Sequence, residues 1–215
     1  MERGDPQLVA APVFTIGSIA LAFQLVDYVG QAAVGAPLAI ILGCTGIFLL
    51  VSTLWAAYAG QSFVACFAGT FGGFWIGYGL LVLALIHGWF AIPPEDIQRT
   101  VATFAIAFAS FFLFLALASL RLPIIYFLIF ILVVAALCFV AAAYLMTPID
   151  TDLLKVAGYI VFVFAGLGMW LSWTVMNLSL GGPAFPPLGT WPASAKPPKP
   201  KPGQAAKPQV GTIGQ

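Results

Sequence analysis

Charge is what this sequence has least of. Only 7% of its 215 residues are Asp, Glu, Lys or Arg, eight basic against seven acidic, and its single histidine is His87. With a net charge of +1 and no basic cluster within the folded part of the chain, nothing points to nucleic acid as a partner. The three cysteines, Cys44, Cys66 and Cys138, are odd in number and far apart, which excludes a disulfide framework and a thiolate metal site. They read as small apolar packing groups. No HExxH, no GxSxG and no glycine-rich phosphate loop is present. The chain therefore reads as neither an enzyme nor a cofactor or metal carrier. The long apolar stretches also lack any Asp, Glu, Lys or Arg near their middles, whereas a pump that moves charge keeps ionisable groups at membrane depth.

What the sequence has in abundance is apolar length. Hydrophobic residues make up 62% of the chain and the mean hydropathy is +1.06. Six runs reach the roughly 20 residues needed to cross a bilayer core: Leu8 to Tyr28, Ala36 to Tyr58, Ser62 to His87, Thr100 to Leu120, Pro123 to Met146 and Leu153 to Ser179. Lipid offers no partner to a free N–H or C=O, so each run must be a helix. The expected fold class is an all-α membrane protein with six transmembrane helices. A short N-terminal segment (1–7) precedes the membrane domain (8–180), and a Pro- and Lys-rich tail (181–215) follows it, too poor in apolar residues to fold alone. Met1 to Pro6 carries Glu2, Arg3 and Asp5 and leads into a span-length run, which does not read as a cleavable signal.

Local signals fill in the connections. Tyr58 to Gln61 and Leu120 to Pro123 read as tight turns, making the second and third spans, and the fourth and fifth, antiparallel neighbours. Pro93-Pro94-Glu95-Asp96 and Thr151-Asp152 place acids at the positive starts of the fourth and sixth helices, where they act as caps. Arg3, Arg121, Lys196, Lys199, Lys201 and Lys207 fall on the side of the termini, against Arg99 and Lys155 opposite. By the positive-inside rule both termini are cytoplasmic. His87 reads as a polar anchor at the membrane rim.

Within the spans the polar inventory is hydroxyls and amides, among them Thr15, Ser18, Gln24, Thr45, Thr70, Tyr78 and Asn177. Such groups either line a narrow solute path or bond helix to helix. In the third span Gly69, Gly73 and Gly77 recur every fourth residue, on one face where a neighbouring backbone can come close.

Gly60 to Trp75, GQSFVACFAGTFGGFW, resembles without a gap the GNTFGLTAFTSYGSFW motif of the acetate uptake transporter (YaaH-type) family. Lys155 to Ile160, Met176-Asn177, Phe185 to Gly189 and the Leu120-Arg121 turn are similar to further family stretches. The family's NPAPLGL signature survives only as Asp5-Pro6, and the polar, glutamate-bearing end of its second span is replaced by Leu49 to Ala57, which marks a divergent member. The resemblance implies a cell-membrane channel or transporter for small carboxylates, acetate first and succinate second. It also implies a homo-hexamer of six-helix protomers, each with its own path through a hydrophobic constriction. Carried over, that constriction comprises Phe14 (Ile16 in a shifted register), Phe71 in place of the motif's tyrosine, and Leu132 or Val133. A carboxylate also needs donors on either side of an apolar neck, and Asp5, Gln7, Thr15, Thr70 and Asn177 are the candidate polar wall groups. A structural scaffold that has lost transport, and a channel for ammonia or urea, are the competing expectations.

Overall fold

The computed structural model describes residues 4–30 and 33–190. Six helices appear where the apolar runs require them: α1 (Gln7–Leu25), α2 (Ala36–Tyr58), α3 (Ser62–His87), α4 (Ile97–Ala118), α5 (Ile124–Leu145) and α6 (Thr151–Ser179). All regular structure among the described residues is helical. The outward faces stay greasy: Leu54, Phe114 and Trp173 are each more than 60% exposed. Water would not tolerate that surface and acyl chains require it, so the molecule is a multi-pass membrane protein.

The helices form a closed ring. α1 packs on α6, α6 on α5, α5 on α4, and α2 bridges α1 to α3. Small residues permit the close approaches. A Cβ on Gly158 would strike Val26 Cγ1 at 2.7 Å, and one on Gly168 would sit 2.5 Å from Thr15 Oγ1, so α6 meets α1 almost backbone to backbone. The α3–α4 seam is different. Few of its backbone positions come close, because Phe74, Tyr78, Phe104, Phe108 and Phe112 fill it with rings at centroid separations of 4.9–6.4 Å. Large side chains hold those two helices apart, and the space they hold open becomes part of the site.

In the middle of α2 the backbone widens into a π-helical turn, Ile41–Gly46. The extra residue in that turn carries Thr45 to α1, where its Oγ1 donates to the Val13 carbonyl at 2.9 Å. Thr45 also lies against Gly17, where any side chain would collide with it.

The caps differ in detail from the sequence reading. Before α6 the capping group is Asp150, whose Oδ1 accepts from Asp152 N at 2.9 Å and Leu153 N at 3.1 Å. Thr151 and Asp152 are already helical, since an Asx cap sits two to three residues ahead of the amides it satisfies. Before α4 a 3₁₀ turn, Pro94–Asp96, leads in without a side-chain cap.

The chain past α6 is also more ordered than its composition suggests. Gly181 to Thr190, assigned by composition to the tail, turns back onto the bundle. Thr174 Oγ1 donates to the Pro186 carbonyl at 2.7 Å, and the amides of Ile124 and Ile125 reach the carbonyls of Gly189 and Leu188 at 3.4 and 3.3 Å. These bonds satisfy the orphan donors at the start of α5. The rest of the expected tail, 191–215, lies outside the described residues.

Candidate functional site

The interior of the ring is closed by phenyl rings. Phe14 from α1 meets Phe71 from α3 edge-on, centroids 4.7 Å apart. Phe67, one helical turn from Phe71, stands 5.0 Å from it and 6.2 Å from Phe14. Phe112 from α4 lies 4.5 Å from Phe71, Phe130 from α5 lies 6.0 Å from Phe71, and Phe164 from α6 lies 5.9 Å from Phe14. These are contact distances for aromatic pairs. Phe14, Phe71, Phe112 and Phe130 are all at most 1% exposed, so no water-wide bore passes between them.

A cavity lies on each side of this neck. The larger, about 450 Å³, opens at the end of the bundle opposite the termini, among α1, α3, α4, α5 and α6. Its floor includes Phe74 and Phe104, and Gln24, Tyr78 and Tyr144 line its wall. Gln24 Oε1 is buried and has no hydrogen-bond partner among the described residues. Asp27, Thr151 and Lys155 stand at the rim. Phe74 touches Phe112 at 6.1 Å, so the floor of the cavity is the first course of the phenyl neck.

The second cavity is small, about 10 Å³, room for about one water. Phe67, Gln7 and Tyr126 are among its walls. The Tyr126 hydroxyl donates to Gln7 Oε1 at 2.6 Å, and the Gln7 backbone N–H donates to Asp5 Oδ1 at 2.9 Å. These bonds make a short polar ladder at the end of the bundle that carries the start of α1.

Against the sequence reading, the structure sorts the named residues into three places. Phe14 and Phe71 meet at the neck, and Ile16, the alternative to Phe14, faces outward at 45% exposure. Asp5 and Gln7 belong to the polar ladder. On α5 the ring in contact is Phe130. Val133, one turn further, is buried in the same core, whereas Leu132 is only half-buried, because α5 presents Ile129, Phe130, Val133, Ala136 and Leu137 inward at helical spacing.

Thr15 and Asn177 lie elsewhere. Both face a groove on the outer surface between α1 and α6. Thr15 Oγ1 donates to the Ala11 carbonyl at 2.9 Å, and Asn177 Nδ2 braces the returning segment by donating to the Pro183 carbonyl at 2.7 Å. Thr70 is half-buried on α3 and lines neither cavity.

The glycine face of α3 divides. A Cβ on Gly69 would meet Thr53 of α2 at 3.1 Å and one on Gly77 would meet Phe104 of α4 at 3.2 Å, but Gly73 is exposed with nothing within 4 Å. The close α2–α3 approach runs instead over Gly72, facing Leu49 Cβ and Leu50 N at 3.4 Å, and over Gly79, against Leu42. Cys66 and Cys138 are likewise on the outer surface rather than buried. In a membrane the outside of a helix is as apolar as the inside, so composition does not say which face is which.

Phe67, Phe112, Phe130, Phe164 and Tyr144 are absent from the sequence-based list, whereas Gln24 and Tyr78 were in its inventory of polar groups without a place. The i, i+4 spacing of Phe67 and Phe71 was the one linear signal available. The other partners come from different helices.

Fold and site together define a polytopic membrane protein whose interior is packed with phenyl rings, with a cavity on either side of them. A family model describes it: residues 2–179 match, and the chain belongs to the GPR1/FUN34/yaaH family. Among solved structures it is similar to one described as the bacterial acetate channel SatP, with a TM-score of 0.75 and 18% sequence identity, covering 85% of this chain and 98% of that one. At that identity the likeness shows a shared fold. None of the curated proteins matches the chain.

Proposed function

We propose that this protein is a channel or transporter for small monocarboxylates, acetate first and succinate a longer, doubly charged second. The observation that carries the reading is the phenyl neck between two polar-ended cavities. An unpaired carboxylate in a low-dielectric, ring-lined waist costs tens of kcal/mol by solvation alone, whereas a small neutral acid gives up only a few kcal/mol of hydrogen bonding. Such a neck passes small, mostly dehydrated solutes and rejects hydrated ions. Family membership and the fold shared with a protein described as an acetate channel support the same substrate class. In this reading both termini face the cytoplasm, the 450 Å³ cavity opens outward, and the exposed outer faces contact lipid or sister protomers of a homo-hexamer.

One observation favours a second reading. Six rings linked by successive contacts, centred on Phe14 and Phe71, leave no bore, as expected of a scaffold protein that keeps the fold and has lost transport. Uptake of radiolabelled acetate by proteoliposomes decides between them. Transport above that of empty vesicles supports the channel, and uptake equal to theirs supports the scaffold. Competition by urea or ammonia in the same assay identifies a neutral-solute channel.

A further inference from the structure

Charge in this molecule is as unevenly placed as it is scarce. The end of the bundle where α1 stops and α4 and α6 begin carries Asp27, Glu95, Asp96, Asp150 and Asp152 against Arg99 and Lys155. No Asp or Glu follows Asp152, and beyond Lys155 the only charged side chains are Lys196, Lys199, Lys201 and Lys207. Each of these four is followed directly by Pro, and no acid between Trp191 and Gln215 is there to pair with them. Half of the chain's eight basic residues are thus gathered in one uncompensated run.

The fold fixes where that run begins. Asn177 Nδ2 donates to the Pro183 carbonyl and Thr174 Oγ1 to the Pro186 carbonyl, each at 2.7 Å, so the chain leaving α6 is held down along its return. Its far end is tied to the first turn of α5, where the Ile124 and Ile125 amides reach the carbonyls of Gly189 and Leu188. Leu188 packs against the buried core, and a Cβ on Gly189 would strike Ile124 Cγ2, so the two segments are pressed together. Arg121, exposed in the 3₁₀ turn just before α5, adds a fifth cation beside that anchor. Because α5 is apolar from its first residue, Ile124 marks the edge of the hydrocarbon, and the basic run starts at headgroup level. Lys196 is seven residues from Gly189, a reach of at most about 25 Å, and Lys207 is confined within about 65 Å. Tethered within that radius, the ammonium groups meet lipid phosphates at high effective concentration, whereas a soluble acidic partner has to be recruited.

We infer that the run from Lys196 to Lys207, with Arg121 beside its anchor, is an electrostatic arm that holds the anionic phospholipid headgroups of the cytoplasmic leaflet. A basic group close to such a surface strengthens the attraction about fivefold, and four or more beside a membrane helix make a lipid-binding cluster. The leaflet rests on the reading that places both termini in the cytoplasm, but the attraction needs neither that placement nor transport. The full chain in nanodiscs tests it, with a nitroxide on Ala205→Cys after Cys44, Cys66 and Cys138 are replaced by alanine. About 30% phosphatidylglycerol is expected to broaden the electron paramagnetic resonance line relative to phosphatidylcholine alone, and about 0.5 M salt to reverse the effect by screening. Lys196→Gln, Lys199→Gln, Lys201→Gln and Lys207→Gln should each lower the bound-to-free ratio about fivefold, and all four together should abolish the broadening. A line unchanged by phosphatidylglycerol, or broadening that survives all four changes, would overturn the arm. So would stronger broadening by polyglutamate or RNA in phosphatidylcholine discs, since the partner would then be a soluble polyanion. The leaflet is read separately: in intact cells a membrane-impermeant maleimide should not label the Ala205→Cys chain, and labelling from outside would overturn the cytoplasmic placement. Acetate uptake measured in parallel keeps the proposals apart, because uptake without lipid-dependent broadening removes the arm and leaves the channel, and broadening without uptake does the reverse.

Discussion

Restoring a hydroxyl at the neck is the most direct probe of how the route is closed. Phe71 is 1% exposed, and the neighbours at its ring are phenyls: Phe112 at 4.5 Å, Phe14 at 4.7 Å, Phe67 at 5.0 Å and Phe130 at 6.0 Å. In Phe71→Tyr the new hydroxyl enters a cluster of hydrocarbon. A hydroxyl buried without a partner costs on the order of 1–3 kcal/mol. That cost falls on the closed arrangement and is relieved when the rings part and water or solute reaches the oxygen. The balance between closed and parted states therefore shifts toward the parted one by about 1 kcal/mol at least, roughly a fivefold gain in its population. Initial rates of radiolabelled acetate uptake by proteoliposomes holding equal amounts of wild type and F71Y measure it. A several-fold faster rate in F71Y is expected, together with a slightly lower melting temperature. Equal rates at unchanged melting temperature would refute the argument, because the added hydroxyl would then have found a partner in the closed state and the dryness of the neck would not limit flux.

Phe67→Ala removes a ring that forms both the neck and the wall of the 10 Å³ cavity. We expect faster uptake and a stability loss of about 3–5 kcal/mol, the usual cost of an emptied aromatic site, read from uptake and a thermal melt on the same preparation. Gly17→Ala drives a methyl into Thr45, which bonds the Val13 carbonyl at 2.9 Å. It should part α1 from α2 and lower the melting temperature, and Gly73→Ala, with open space around it, should not. Asp150→Ala removes the one side-chain cap of α6 and is expected to cost about 1 kcal/mol, with hydrogen exchange accelerating at Asp152 and Leu153 and nowhere in α3. Tyr126→Phe breaks the 2.6 Å bond to Gln7 and should loosen the end of α1 by about 1 kcal/mol, visible as faster exchange there at unchanged α6 protection.

The primary structure alone was enough for the membrane and the helices. Lipid leaves a backbone no choice, so run length became helix length, and the second and third spans fall on the same residues read either way, Ala36–Tyr58 and Ser62–His87. Phe71 was legible because it lies in the ungapped stretch Gly60 to Trp75, whereas Phe14 rested on aligning Asp5-Pro6, with Ile16 the choice in a shifted register. Facing was not. Gly73, Cys66 and Cys138 sit on an outer surface as apolar as the core, and Thr15 and Asn177 turn to the outer groove, since hydropathy in a bilayer does not distinguish inside from outside. Nor was the company the rings keep. Phe112, Phe130 and Phe164 reach the neck from three helices, and Gln24, Tyr78 and Tyr144 meet from three more positions far apart in the chain. Only the closing of the ring, with α3 and α4 held apart by their own aromatics, brings those groups together in one interior.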